Sequence, residues 1–167
     1  MTIPVVCVVG KSDTGKTTFM EKLIAELKRR GYRVGTIKHN VHGFQLDKPG
    51  KDSWRHAQAG SDVVVISSPG KMALIERLER ELTLDEVAAR ITGVDIILAE
   101  GYKRSDKPKI EVFRWEKGNE LLSTPDKLIA LVTNQPFDLE ISQFDPNDAA
   151  GVASLLEARF LHGSDGR

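Results

Sequence analysis

The sequence predicts an α/β fold: a mainly parallel sheet with helices on both faces and an antiparallel extension at one edge. Three observations carry this reading. Short β-branched runs alternate with helical periodicities, and several of the runs are apolar on both faces, as strands of a covered parallel sheet are. The first run also feeds an amphipathic helix that leads to a second run, which makes a βαβ unit.

Ile3 to Val9, Arg33 to Ile37, Asp62 to Ile66, Asp95 to Ala99, Ile110 to Trp115 and Leu128 to Val132 read as strands. Between the first two, Met20, Leu23, Ile24 and Leu27 line one face of a helix from about Lys16 to Arg30, with Gly31 just past its end. Asp52 or Ser53 suits the cap of a short helix ending near Ala59-Gly60. Thr83 and Glu86 form a capping box for a helix that buries Leu84, Val87, Ala88 and Ile91. The last helix covers about Asp148 to Leu161, with Val152, Leu155 and Leu156 inward. Met72 to Glu81 suits an edge strand and a helix about equally; taken as a strand, it joins the Ile110 segment in the antiparallel extension.

The 167 residues fit one domain over residues 1–162, followed by a frayed tail from Gly163 to Arg167. Lys and Arg number 24 and so do Asp and Glu, so no global field attracts nucleic acid or an anionic membrane. Any anion site must be local. Cys7 is the single cysteine and can form no internal disulfide, which points to a reducing cytoplasm. No apolar stretch approaches the ~20 residues of a membrane span, and the first run lacks the basic flank and cleavage site of a signal peptide.

Gly10-Lys11-Ser12-Asp13-Thr14-Gly15-Lys16-Thr17 fits the pattern Gly-x-x-x-x-Gly-Lys-Ser/Thr, between an apolar strand and an amphipathic helix where such a phosphate loop belongs. This predicts the P-loop NTPase fold. Glycines let backbone amides turn inward around phosphate oxygens, and the open helix start, which includes Thr18, adds positive potential. Lys16 supplies a charge for the β- and γ-phosphates, and Thr17 a hydroxyl for Mg²⁺. Asp13 is out of place beside phosphates unless its side chain faces away. The strand Ile96 to Ala99 ends in Glu100 and Gly101, where a carboxylate can hold a metal-bound water beside the γ-phosphate. Lys16 and Glu100 are therefore the candidate catalytic residues. Asp95, about 17 Å away along the strand, is structural.

Lys38-His39-Asn40-Val41-His42 leaves the end of the second strand and runs on through Asp47 to Ser53. His39 and His42 are either metal ligands or polar loop residues, and Asp52 suits a helix cap and a ligand contact, two roles that are compatible. A loop this rich in ionisable groups next to a triphosphate suits a switch segment. Asn134, in Thr133-Asn134-Gln135-Pro136, is the nearest candidate to read a base, but its amide pairs equally well with guanine or adenine; otherwise it is a turn residue. Lys103, Arg104, Lys107 and Lys109 either meet phosphate groups or an acidic partner, or form a solvated loop.

These residues resemble the MobB family, GTP-binding proteins of molybdenum-cofactor biosynthesis. The likeness rests on Ile37-Lys38-His39, His42 and Asp47 to Ser53, and on Glu100-Gly101-Tyr102-Lys103. It continues through Lys109-Ile110, Arg114, Thr133-Asn134, Pro136 and Asn147-Asp148, and so covers nearly the whole chain. The resemblance implies a homodimer that binds GTP with Mg²⁺, hydrolyses it slowly, and assists the guanylyltransferase that converts molybdopterin to molybdopterin guanine dinucleotide. Molybdopterin itself is then a candidate ligand for the basic cluster. Lys11 stands where related deviant P-loop ATPases carry a lysine that reaches across a dimer, a lysine that other MobB-like sequences lack, and it is otherwise a solvated side chain. Two other readings use the same residues: a small-molecule kinase with Asp47 as base, and a metallochaperone carrying metal on His39 and His42.

Overall fold

A computed structural model describes residues 2–161, which divide into two compact units. The expected tail from Gly163 lies outside the described residues. The larger unit holds β1 (Val5–Val9), α1 (Lys16–Arg29), β2 (Val34–Lys38), α3 (Leu84–Ala88), β5 (Ile96–Glu100), β6 (Lys109–Phe113), β7 (Leu128–Thr133), β8 (Gln143–Phe144) and α4 (Ala149–Phe160). The smaller holds α2 (Asp52–Gln58), β3 (Val63–Ser68) and β4 (Lys71–Glu76).

Six strands of the larger unit form one sheet in the order β2-β5-β1-β6-β7-β8, with every pairing parallel. β1 is therefore an interior strand, and the crossover from β1 to β2 passes over β5. One face packs Val6, Val8, Leu98 and Val112 against Leu23 and Leu27 of α1 and Val152 and Leu156 of α4. The other packs Cys7, Val9, Ile97 and Ala99 against Leu84, Val87 and Ala88 of α3. Helices thus cover both faces, as the doubly apolar strands require. Burying a side chain such as Leu23 completely stabilises the fold by about 1.5–3 kcal/mol.

Arg30 joins the two helices of the first face. Its guanidinium donates to Glu26 of α1 and to Glu157, Ser154 and the Ala150 carbonyl of α4. α4 is closed at its start by Asp148, whose carboxylate accepts from the Gly151 amide at 2.8 Å.

Two expectations about the sheet need correction. The Ile110 segment is not an antiparallel extension: β6 lies parallel between β1 and β7 and is fully buried. Only the Met72 segment is antiparallel, and it pairs with β3 in a separate two-stranded sheet. Nor does Asp52 or Ser53 cap α2, because Lys51 holds the cap position and makes no side-chain cap bond. Within that hairpin Val63, Val65, Met72 and Leu74 share one face and stay exposed, from 45% for Val63 to 68% for Met72.

The interior place of β1 dictates the turn that follows it. At Gly10 (φ +153°) a Cβ would sit 2.4 Å from the Val112 carbonyl oxygen of β6, so the chain can leave the sheet there only without a side chain. Gly31 has a comparably positive φ of +93° but open space around it. Gly10→Ala should therefore cost about 2 kcal/mol or more in urea unfolding, and Gly31→Ala about 1 kcal/mol. Equal losses would show that the β6 backbone yields and that contact with it does not shape the turn.

Candidate functional site

The Gly10–Thr17 loop emerges at the C-terminal edge of the parallel sheet, where α/β proteins bind ligands. Its closure is internal. The Thr14 hydroxyl donates to the Lys11 carbonyl at 3.0 Å, and Thr14 is buried. Lys16 folds back over the loop, and its ammonium donates to the carbonyls of Gly10 at 2.9 Å and Lys11 at 2.6 Å. Burial pushes that ammonium below the usual lysine range, while the Glu100 carboxylate pulls it the other way. A partly desolvated cation held by two neutral oxygens can be stabilised further by an anion.

The helix start meets the same need. Gly15, in a left-handed conformation at φ 89°, occupies the cap position of α1 and offers no side chain, and the first turn carries no acidic residue. The leading amides of this 14-residue helix are therefore left for an outside acceptor, unlike those of α4 with its Asp148 cap. Asp13 takes a left-handed φ of 59°, a conformation Asp tolerates better than most residues, and its side chain is exposed. Ser12, Thr17 and Thr18 are exposed along the same stretch. Lys11 reaches the Lys117 carbonyl at 3.4 Å within its own unit.

β1 and β2 flank β5, so Glu100 ends its strand in register with Val8 of one neighbour and Lys38 of the other. The Lys38 ammonium lies 3.3 Å from the Glu100 carboxylate, and Lys38 was not among the expected site residues. Beyond Glu100 the chain turns sharply. Gly101 has φ +98°, and Tyr102 takes a left-handed φ of 55°, which a bulky side chain rarely adopts. Its ring stacks on His39 with centroids 4.4 Å apart. Asp95 stands at the opposite end of β5, where its carboxylate holds the Arg33 guanidinium at 2.7 Å.

Asn134 follows β7 on the other side of the loop. Its amide nitrogen donates to the Glu116 carboxylate at 3.0 Å. Arg114, just past β6, donates from Nε to the Thr14 carbonyl at 3.2 Å, which ties β6 to the loop. Strand order explains why no site role was read for it: once β6 is placed at an edge, Arg114 has no reason to meet the loop. Asp52 belongs to the smaller unit, where it opens the first turn of α2.

The basic run after Glu100 is not an open cluster. Lys107 pairs with Asp85 at 2.7 Å, and Lys109 is buried with its ammonium on the Ser105 and Lys107 carbonyls. Only Lys103 and Arg104 of the four are exposed. Among the described residues, no group of three or more His, Cys, Asp or Glu side chains is assembled to hold a metal ion, and no helix is long and apolar enough to cross a membrane.

Comparison with known proteins agrees with this geometry. The family model for molybdopterin guanine dinucleotide synthesis protein B matches residues 5–134. The molybdopterin-guanine dinucleotide biosynthesis adapter protein of Haemophilus influenzae is 37% identical over 162 residues, 96% of this chain and 90% of that protein. Its Escherichia coli counterpart is 38% identical over 160 residues, 92% of this chain and 91% of that one. The crystal structure of Bacillus subtilis MobB superposes with a TM-score of 0.72 at 27% identity, covering 93% of this chain and 97% of the other. A phosphate loop inside a wholly parallel sheet, found together with this similarity over almost the full length, makes the chain a member of the MobB family of molybdopterin guanine dinucleotide synthesis proteins.

Proposed function

We propose that this protein is a nucleotide-controlled adapter in the synthesis of molybdopterin guanine dinucleotide. It binds GTP with Mg²⁺ on the Gly10–Thr17 loop and acts in the cytoplasm with the guanylyltransferase that attaches GMP to molybdopterin. The observation that carries this reading is the uncapped start of α1 beside the inward-folded Lys16, a ready-made anion cradle in a chain with no net charge. The adapter role follows the names of its relatives.

In this reading the first-turn amides and Lys16 hold the β- and γ-phosphates. Thr17 supplies a hydroxyl and Glu100 a carboxylate for Mg²⁺, which when bound neutralises charge across the two phosphates. Lys38 keeps the Glu100 carboxylate paired and so fixes its direction. Hydrolysis in this reading is slow and incidental, far below the ~1–100 s⁻¹ of kinases. His39 joins β2 to the smaller unit, so the chain entering that unit starts from the edge of the nucleotide site.

The protein works as a homodimer through the hairpin of the smaller unit, whose Val63, Val65, Met72 and Leu74 form an apolar face of the kind that marks an interface. Replacing the cross-strand pair with Val65→Glu and Leu74→Glu should give monomers in sedimentation while GTP binding is retained. A variant that stays dimeric, or a monomeric parent protein, would contradict this.

Lys16→Ala removes charge-assisted bonds worth roughly 1.5–3 kcal/mol each and should weaken GTP binding about tenfold or more in titration calorimetry with Mg²⁺. Unchanged affinity would refute the phosphate-loop assignment.

A further inference from the structure

Alongside the phosphate loop lies a cleft of about 130 Å³, far beyond the ~10–15 Å³ that a single water needs. Gly15 and Thr18 border it on one side, and Arg114, Asn134 and Asp145 border it on others. It therefore continues from the end of the phosphate cradle towards the loops that follow β6, β7 and β8. If the loop takes a triphosphate, this cleft is where the rest of the nucleotide can go.

Most of the polar groups around the cleft are already engaged. Lys22 donates to the Asn147 side chain at 2.6 Å, Arg114 to the Thr14 carbonyl, and Asn134 to Glu116. Asp145 is the one carboxylate among the lining residues, and it forms no ion pair among the described residues. One of its oxygens accepts from the Asn147 amide at 2.8 Å, which orients the group and leaves most of its lone pairs open.

We infer that Asp145 selects guanine over adenine, an assignment that rests on the nucleotide reading above. Guanine presents the N1 and N2 hydrogens side by side, and a carboxylate accepts both. Adenine carries a lone pair at N1, which would face the carboxylate and leave it unpaired. Asn134 cannot make this distinction, because an amide matches the hydrogen-bonding groups of either base. Discrimination therefore falls to Asp145, which entered neither the phosphate-loop pattern nor the family motifs.

The test is titration of the full chain and of Asp145→Asn with GTP, ATP, xanthosine triphosphate and inorganic tripolyphosphate, each with Mg²⁺. The asparagine can still accept from the Asn147 amide, so the turn is kept. Its NH₂ group also suits the C2 carbonyl that xanthine carries in place of the guanine amino group. The parent protein should prefer GTP to ATP at least about tenfold. The variant should lose GTP affinity by about tenfold or more, gain affinity for xanthosine triphosphate, and bind tripolyphosphate unchanged. An unaltered preference for GTP over xanthosine triphosphate, or an equal loss for all four ligands, would overturn the assignment. A parent protein that binds tripolyphosphate but does not distinguish GTP from ATP would overturn it while sparing the phosphate loop. A parent protein that binds none of the four would overturn the proposed function as well.

Discussion

The structure depends on the exit of β1 from the middle of a parallel sheet. With β5 on one side and β6 on the other, the chain leaves at Gly10 under the Val112 carbonyl and must turn at once into α1. The turn is held by the Thr14 hydroxyl on the Lys11 carbonyl and by Lys16 folded back over both loop carbonyls. The turn from strand to helix sets Gly15 at a φ of +89°, a conformation that disfavours any side chain, so the constraint that shapes the backbone also leaves the helix amides open.

The charged groups at the sheet edge are paired or tethered rather than free. Lysines and arginines balance aspartates and glutamates over the whole chain, so attraction for an anion is local, and around α1 and Lys16 it is screened within about 8–10 Å. Glu100 and Lys38, in register on adjacent strands, add a paired carboxylate on one flank. Arg114 and Asn134 stand on the other flank at the ends of β6 and β7, each tethered by a hydrogen bond. Elsewhere charge does structural work: Arg30 couples α1 to α4, and Lys109 spends its ammonium on two backbone carbonyls inside the fold.

Local features of this architecture were legible in the sequence because each has a local cause. The β1 run, the α1 periodicity closed by Gly31, the phosphate-loop spacing and the Glu100-Gly101 strand end depend on neighbours in the chain, and all appear where the pattern puts them. Strand order does not have a local cause. Nothing in Lys109–Phe113 reports that it lies between β1 and β7, so it was placed at an edge and Arg114 was left without a site role. The two-residue β8 is too short to show a period, and Asp145 just beyond it gains meaning only from the cleft it borders. Lys107 and Lys109 look like a basic cluster in one dimension, yet one pairs with Asp85 and the other is buried.

In the proposed function Lys16 is held in reserve for phosphate, bonded to the Gly10 and Lys11 carbonyls only until a better acceptor arrives. A crystal structure with a non-hydrolysable GTP analogue and Mg²⁺ tests it most directly. Phosphate oxygens are expected against the first-turn amides of α1, with the Lys16 ammonium moved from the two carbonyls onto the β- and γ-phosphates. Nucleotide bound elsewhere, or Lys16 still on the Gly10 and Lys11 carbonyls beside a bound triphosphate, would contradict it.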